Sequence, residues 1–227
     1  VKILYFDCTN GVSGDMAYEA LKGLLGEKEK DALEGMEMLH SLDSHGEHCH
    51  SSYSSIKDLI GSLDISKGAK EKALSIYSVI AEAEASVHDA PVEKVHFHEV
   101  GRIEAVRNVV GAAVCADALA AAKVFCSEIH DGIGFVECSH GTIPVPVPAV
   151  MAMRRNSGLV FAADESVATE MVTPTGLAVL MGLGAEYSRE IPEGCVLRKA
   201  TAFGKRETGR NGGLTACLVE DCARICP

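Results

Sequence analysis

The chain opens on Val1-Lys2-Ile3-Leu4-Tyr5-Phe6, a short and mostly apolar run that ends at Asp7 and predicts a strand. A polar, glycine-bearing loop, Asp7 to Gly14, separates it from a helix starting near Asp15, with Ser13 or Asp15 as N-cap. Met16, Ala20, Leu21, Leu24 and Leu25 form the apolar side of that helix. The stretch from about Ser41 to Ser55 is polar and reads as a surface loop, after which two helices follow. The second places Ala73, Tyr77, Ile80 and Val87 on one face. Another helix spans about Gly101 to Leu119 on the stripe Ile103, Val106, Val110, Ala113 and Val114.

From Lys123 onward the pattern shifts to short strand-like pieces, Val124 to Cys126 and Gly134 to Cys138. Pro144, Pro146 and Pro148 at alternate positions disfavour a central strand and predict an extended wall. A short helix around Ala149 to Arg155 should follow, and Pro174 suits a first helical position with Thr173 as N-cap. The last elements read as two strands, Val196 to Phe203 and Leu214 to Val219, joined by a turn over Gly204 to Gly213. The alternation predicts an α/β fold: a mixed sheet with several amphipathic helices, in one compact unit or two closely packed lobes. The lobes would be an α/β part over residues 1–122 and a β-rich part over 123–227.

Composition narrows the function classes. At 47% hydrophobic, the 227 residues can build a substantial core. A formal net charge of −11 argues against a nucleic-acid surface, which needs clustered cations to neutralise phosphate. The apolar run Val109 to Ala116 is too short to span a bilayer, and no signal peptide is visible, so neither membrane nor export is expected. The nine cysteines are scattered without a Cys-x-x-Cys pair, which fits reduced thiols in the cytoplasm.

The densest candidate chemistry is Val95-His96-Phe97-His98-Glu99-Val100-Gly101. An extended His-x-His turns both imidazoles to one side, because side chains alternate along a strand. Glu99 follows at a turn, where a carboxylate could bind metal, move a proton or orient an imidazole. A histidine pair hydrogen-bonded to backbone is the commoner fate of such a motif in isolation. Glu104 and Asn108 share a face at the start of the next helix, where oxygens could extend a metal site or complement the helix dipole.

Several motifs in one order carry a resemblance. They are Asp7 to Met16, the histidine-bearing loop, Ala83-Glu84-Ala85 through Val87-His88, the His-x-His-Glu-Val-Gly segment, Gly132 to Pro148 with His140-Gly141, and Val172-Thr173-Pro174-Thr175-Gly176. With these the chain resembles the nickel-pincer cofactor biosynthesis proteins, the LarC nickel chelatases, over nearly its whole length. The resemblance implies a cytoplasmic, lyase-type chelatase that inserts nickel(II) into a pyridinium mononucleotide bearing two thiocarboxylates, with CTP hydrolysis. Two nickel–sulfur bonds and one nickel–carbon bond would form.

That chemistry needs exchangeable nitrogen ligands, an anion seat and a base. His96 and His98 are the leading metal ligands, with Glu99 as third ligand, neighbour to a ligand, or base. Glu104 and His140 are further metal candidates. Asn10, Gly11, Ser13 and Gly14 precede a helix and could cradle phosphate, while Asp15 could serve as catalytic group or cap. Thr173, Thr175 and Gly176 form a second anion site of the same kind. His45, His48 and His50, beside Cys49, resemble a shortened polyhistidine tract for nickel capture, or a variable polar loop.

Three departures matter. The family usually carries two aspartates where Glu104 and Asn108 stand, and the turn Gly204 to Gly213 matches only loosely. The sequence also stops where the family's CTP-binding domain should begin, so CTP and its divalent metal are expected only with a separate C-terminal domain as partner. A nickel insertase, or the metal- and substrate-binding half of one, is therefore set against a nickel-binding chaperone and a metal-independent relative. The sequence leaves a homo-oligomer open.

Overall fold

The computed structural model describes residues 1–43, 52–138 and 141–221. The candidate ligands His45, His48, His50 and His140 lie outside the described residues.

A five-stranded mixed sheet forms the base of the molecule. Its strands are β1 (Lys2–Asp7), β2 (Lys123–Cys126), β7 (Glu186–Tyr187), β8 (Cys195–Ala202) and β9 (Leu214–Glu220), in the spatial order β7-β2-β1-β9-β8. β1 pairs parallel with β2 and antiparallel with β9, whose other edge pairs antiparallel with β8. Alternation along β1 divides the apolar residues. Leu4 and Phe6 join the main core, while Ile3 and Tyr5 form a small separate cluster with Cys217 and Val219 on the opposite face.

Helices cover the main-core face: α1 (Gly14–Gly23), α5 (Lys67–His88), α6 (Ile103–Leu119) and α8 (Pro174–Gly182). α6 is buried on nearly all sides from Val109 to Ala116, which explains why its apolar residues extend beyond one stripe. It crosses α1 so closely that a Cβ on Gly111 would run into the Tyr18 ring. Ala73, Tyr77 and Ile80 of α5 are buried as the periodicity predicts. Val87 is not, at 39% exposure, because the last turn of α5 runs past the core and borders a cavity.

The helix starts follow the predicted caps. Ser13 caps α1 and Thr173 caps α8, with Pro174 in the first turn. α7 (Pro148–Arg154) follows the proline-rich wall, part of which pairs as the hairpin of β4 (Phe135–Cys138) and β5 (Gly141–Pro144). α4 (Tyr53–Ser62) begins where the polar stretch ends. Periodicity did not reveal the short helices α2 (Glu27–Lys30) and α3 (Glu37–Asp43), nor the small parallel pair β3 (Ile129–Asp131) and β6 (Phe161–Ala163). Each is too short for a repeat to show.

Candidate metal and substrate site

Two loops that enter helices lie side by side and set the geometry. Val12 and Val172 form a parallel bridge: the Val12 N–H donates to the Met171 carbonyl at 3.0 Å, and the Thr173 N–H to the Val12 carbonyl at 3.0 Å. The N-termini of α1 and α8 therefore abut. A Cβ on Gly14 would stand 2.8 Å from Thr175 Oγ1, and one on Gly176 would overlap the Val12 carbonyl oxygen. Gly11 adopts φ +81, a left-handed conformation that disfavours other residues, to bring its loop against Met171.

Each helix start carries an oxygen pair two residues apart. Ser13 Oγ accepts from the Met16 N–H at 3.5 Å and donates to Asp15 Oδ1 at 2.5 Å. Thr173 Oγ1 accepts from the Gly176 N–H at 3.1 Å and lies 3.1 Å from Thr175 Oγ1. Helix starts with unsatisfied N–H groups attract anions. Both open into one cavity of about 710 Å³, lined by Ser13, Gly14, Asp15, Thr173, Pro174 and Thr175 among others.

The same cavity receives the corner at His98 and Glu99. Phe97 anchors this segment. It is 3% exposed, with ring centroids 6.1 Å from Tyr53 and 5.9 Å from Tyr77. The fully buried Tyr77 hydroxyl donates to the Val100 carbonyl at 3.1 Å and holds the residue after Glu99. Val95, Phe97 and Val100 point inward, and His96 and His98 are both exposed. Only His98 borders the cavity. His96 bridges to Ser52, two residues after His50 in sequence.

Glu104 and Asn108 line the cavity from α6, and Glu84 and His88 from the end of α5, where His88 Nε2 pairs with Glu84 Oε2 at 3.3 Å. Asn10, Gly11 and Gly176 do not border it. The N–H groups of Gly11, Val12 and Gly176 are already used within the two loops. A backbone anion seat would therefore fall on the first turns of α1 and α8, beside the Lys205 and Arg206 side chains that also line the cavity.

Glu170 is the most perturbed group here. Its side chain is 8% exposed, and burial pushes its pKa up to about 7, opposed by Arg206 and reinforced by Asp131 and Glu99. Arg206 Nη2 donates to Glu170 Oε2 at 3.1 Å. Asp131, 1% exposed, fixes the neighbouring backbone: its Oδ1 accepts from the N–H groups of Gly132 at 2.9 Å, Met171 at 2.9 Å and Val172 at 3.1 Å. Lys205 pairs with Glu104, and Arg210 with Asp164. No three His, Cys, Asp or Glu side chains among the described residues are gathered into a ready metal-ligand set.

The model of the nickel insertion protein family matches residues 26–224. The chain belongs to this family. It is 35% identical to the pyridinium-3,5-bisthiocarboxylic acid mononucleotide nickel insertion protein of Acetivibrio thermocellus, over 96% of this chain and 60% of that protein. The like-named protein of Lactiplantibacillus plantarum is 37% identical over 97% and 62%, and that of Alkaliphilus metalliredigens 32% over 96% and 60%. The chain thus spans about 60% of the length of these relatives. No solved structure matches it.

Within this family member, the cavity-lining residues that the sequence did not offer as site candidates are Glu170, Arg206, Lys205, and the pair Glu84 and His88, the last two lying in one of the motifs named above. The Glu84–His88 spacing of four was readable as a shared helix face. Glu170 gave no local sign, since its burial is a tertiary effect and its partner Arg206 comes from a loop far along the chain.

Proposed function

We propose that this cavity is where nickel is inserted into a pyridinium-3,5-bisthiocarboxylic acid mononucleotide. The observation that carries the reading is the opening of two capped helix starts and the His98–Glu99 corner into one cavity. Its size suits a mononucleotide, as ligand pockets run from roughly 300 to 1,000 Å³. In this reading the first turns of α1 and α8 seat the phosphate, with Ser13, Gly14, Thr173 and Thr175 around it. Asn10, Gly11 and Gly176 shape the loops and do not touch it. His98 and Glu99 hold the metal, which is the cargo, and Glu104 stands in reserve as a further oxygen donor. By residue type, His45, His48 and His50 serve nickel capture, as does His96, and His140 is a further metal candidate. Glu99 or Asp15 takes the ring proton as the nickel–carbon bond forms. CTP and its divalent metal act through a CTP-binding domain, in the cytoplasm.

Nickel passing through without bond formation is the second reading, favoured by the separation of His96 from the cavity. The test mixes the chain with Ni²⁺, the bisthiocarboxylate mononucleotide, CTP, Mg²⁺ and the C-terminal domain. Mass spectrometry should show a product that has gained one nickel and lost its ring hydrogen. Nickel bound with the organic ligand unchanged selects the chaperone reading. Product formation unaltered in His98→Ala and Glu99→Ala removes the metal assignment. Among the described residues no helix is long and apolar enough to cross a membrane.

A further inference from the structure

The loop between β8 and β9 reaches across the cavity and places its cations on carboxylates. Lys205 meets Glu104 at the start of α6, Arg206 meets Glu170, and Arg210 meets Asp164 beyond the cavity wall. The three pairs differ in kind. Lys205 and Glu104 are 74% and 59% exposed, so water screens their attraction. Glu170 is 8% exposed while its partner Arg206 is 48% exposed. A buried carboxylate is thus compensated by a guanidinium that stands half in solvent on a glycine-bearing loop.

Such a pair is easily exchanged on one side and costly to leave open on the other. Arg206 can turn to another anion in the cavity, where a planar guanidinium matches a carboxylate or thiocarboxylate through two parallel hydrogen bonds. Glu170 cannot follow, because Asp131 fixes the backbone of the next two residues through its Oδ1. Left without its cation, the buried Glu170 carboxyl has lost its compensating charge, and a divalent metal would supply the cation that Arg206 gave up in place of a proton.

We propose that Arg206 is a specificity-determining residue that exchanges its ion pair with Glu170 for an anionic arm of the bound pyridinium, and so opens Glu170 to the metal. The inference rests on the function proposed above and adds an order to it: organic ligand first, nickel second. The two ligands then help each other, since coupling between sites is reciprocal.

The test is calorimetric and needs no turnover. Nicotinic acid mononucleotide, a pyridinium with one carboxylate and a phosphate, serves as organic probe, and Ni²⁺ is titrated with and without it. In the wild type, saturating probe should tighten nickel binding by roughly tenfold, within the usual range of coupling between sites. Arg206→Ala should weaken the probe by about tenfold or more, bind nickel more tightly than the wild type when the probe is absent, and show no coupling. Glu170→Gln should keep the probe and lose the nickel response. Probe binding with no effect on nickel in the wild type, or coupling retained in Arg206→Ala, overturns the exchange and leaves the cavity assignment standing. A wild type that does not bind the probe overturns both.

Discussion

Replacing Glu170 with Gln tests whether the fold tolerates a carboxylate at a place that disfavours its charge. The side chain is nearly as large and keeps an oxygen for Arg206, so packing changes little. Glu170 has its pKa raised from 4.5 to about 7, chiefly by burial. At about 1.4 kcal/mol per unit, the ionised form is disfavoured in the folded protein by about 3 kcal/mol. Between those two values the folded state keeps a proton that the unfolded chain has released. Stability from this group is therefore greatest below 4.5, declines as pH rises through that window, and is level above about 7. Gln has no proton to lose. Urea denaturation of both proteins without metal, at about pH 5 and about pH 8, should show the wild type losing about 2–3 kcal/mol more than the variant. The difference between the two proteins removes the contributions of the histidines. Equal pH slopes would refute the argument, and so would a variant much less stable than the wild type at the higher pH, since Arg206 would then stabilise the charge fully.

Two further substitutions probe how the site is held. Gly176→Ala should cost about 1–3 kcal/mol, because its Cβ would meet the Val12 backbone, which cannot move without parting the two helix starts; an unchanged melting temperature in calorimetry would show that the junction yields. Tyr77→Phe leaves the buried Val100 carbonyl without its donor and should cost about 1–3 kcal/mol. It should also weaken nickel binding, because the His98–Glu99 corner hangs on that residue; nickel affinity equal to the wild type, measured by titration, would separate the corner from the metal.

What was legible in the sequence is what local chemistry dictates. Ser13 and Thr173 were readable as caps because a hydroxyl before a helix satisfies an N–H that nothing else will. The β8–β9 hairpin and α6 were readable from periodicity. His-x-His alternation also held, with Val95 and Phe97 inside and both imidazoles outside. Sharing a side did not bring the imidazoles to one cavity, because only the bend at His98 and Glu99 turns inward. Nor was the loop after β1 readable as lying against residues 171–173, a contact across the length of the chain. That contact consumes the Val12 N–H, the Gly11 N–H donates to the Cys8 carbonyl within the loop, and any backbone anion seat moves one step along, into the helix. Arg206 and Glu170 were invisible for the same reason: nothing local marks either residue until tertiary contacts bury one and aim the other.

The cysteines bear on how tightly the site can hold its cargo. Thiolates would make the strongest ligands for nickel here, and a protein that must give the metal up gains by keeping them out of reach. Cys8, Cys115, Cys126 and Cys217 are all buried, and burial pushes each thiol up, Cys115 and Cys126 to about 12. They remain protonated and inert near neutral pH. Among the described cysteines, only Cys138 borders the cavity. The other donors there are imidazole and carboxylate, several already paired to cations that compete with the metal. Under the proposed function such a set would bind nickel reversibly, and a bisthiocarboxylate in the same cavity would add two soft sulfurs to the one at Cys138. On the proposed function the metal would move from protein to organic ligand downhill in ligand softness, with the protein aligning the two and taking up the displaced proton.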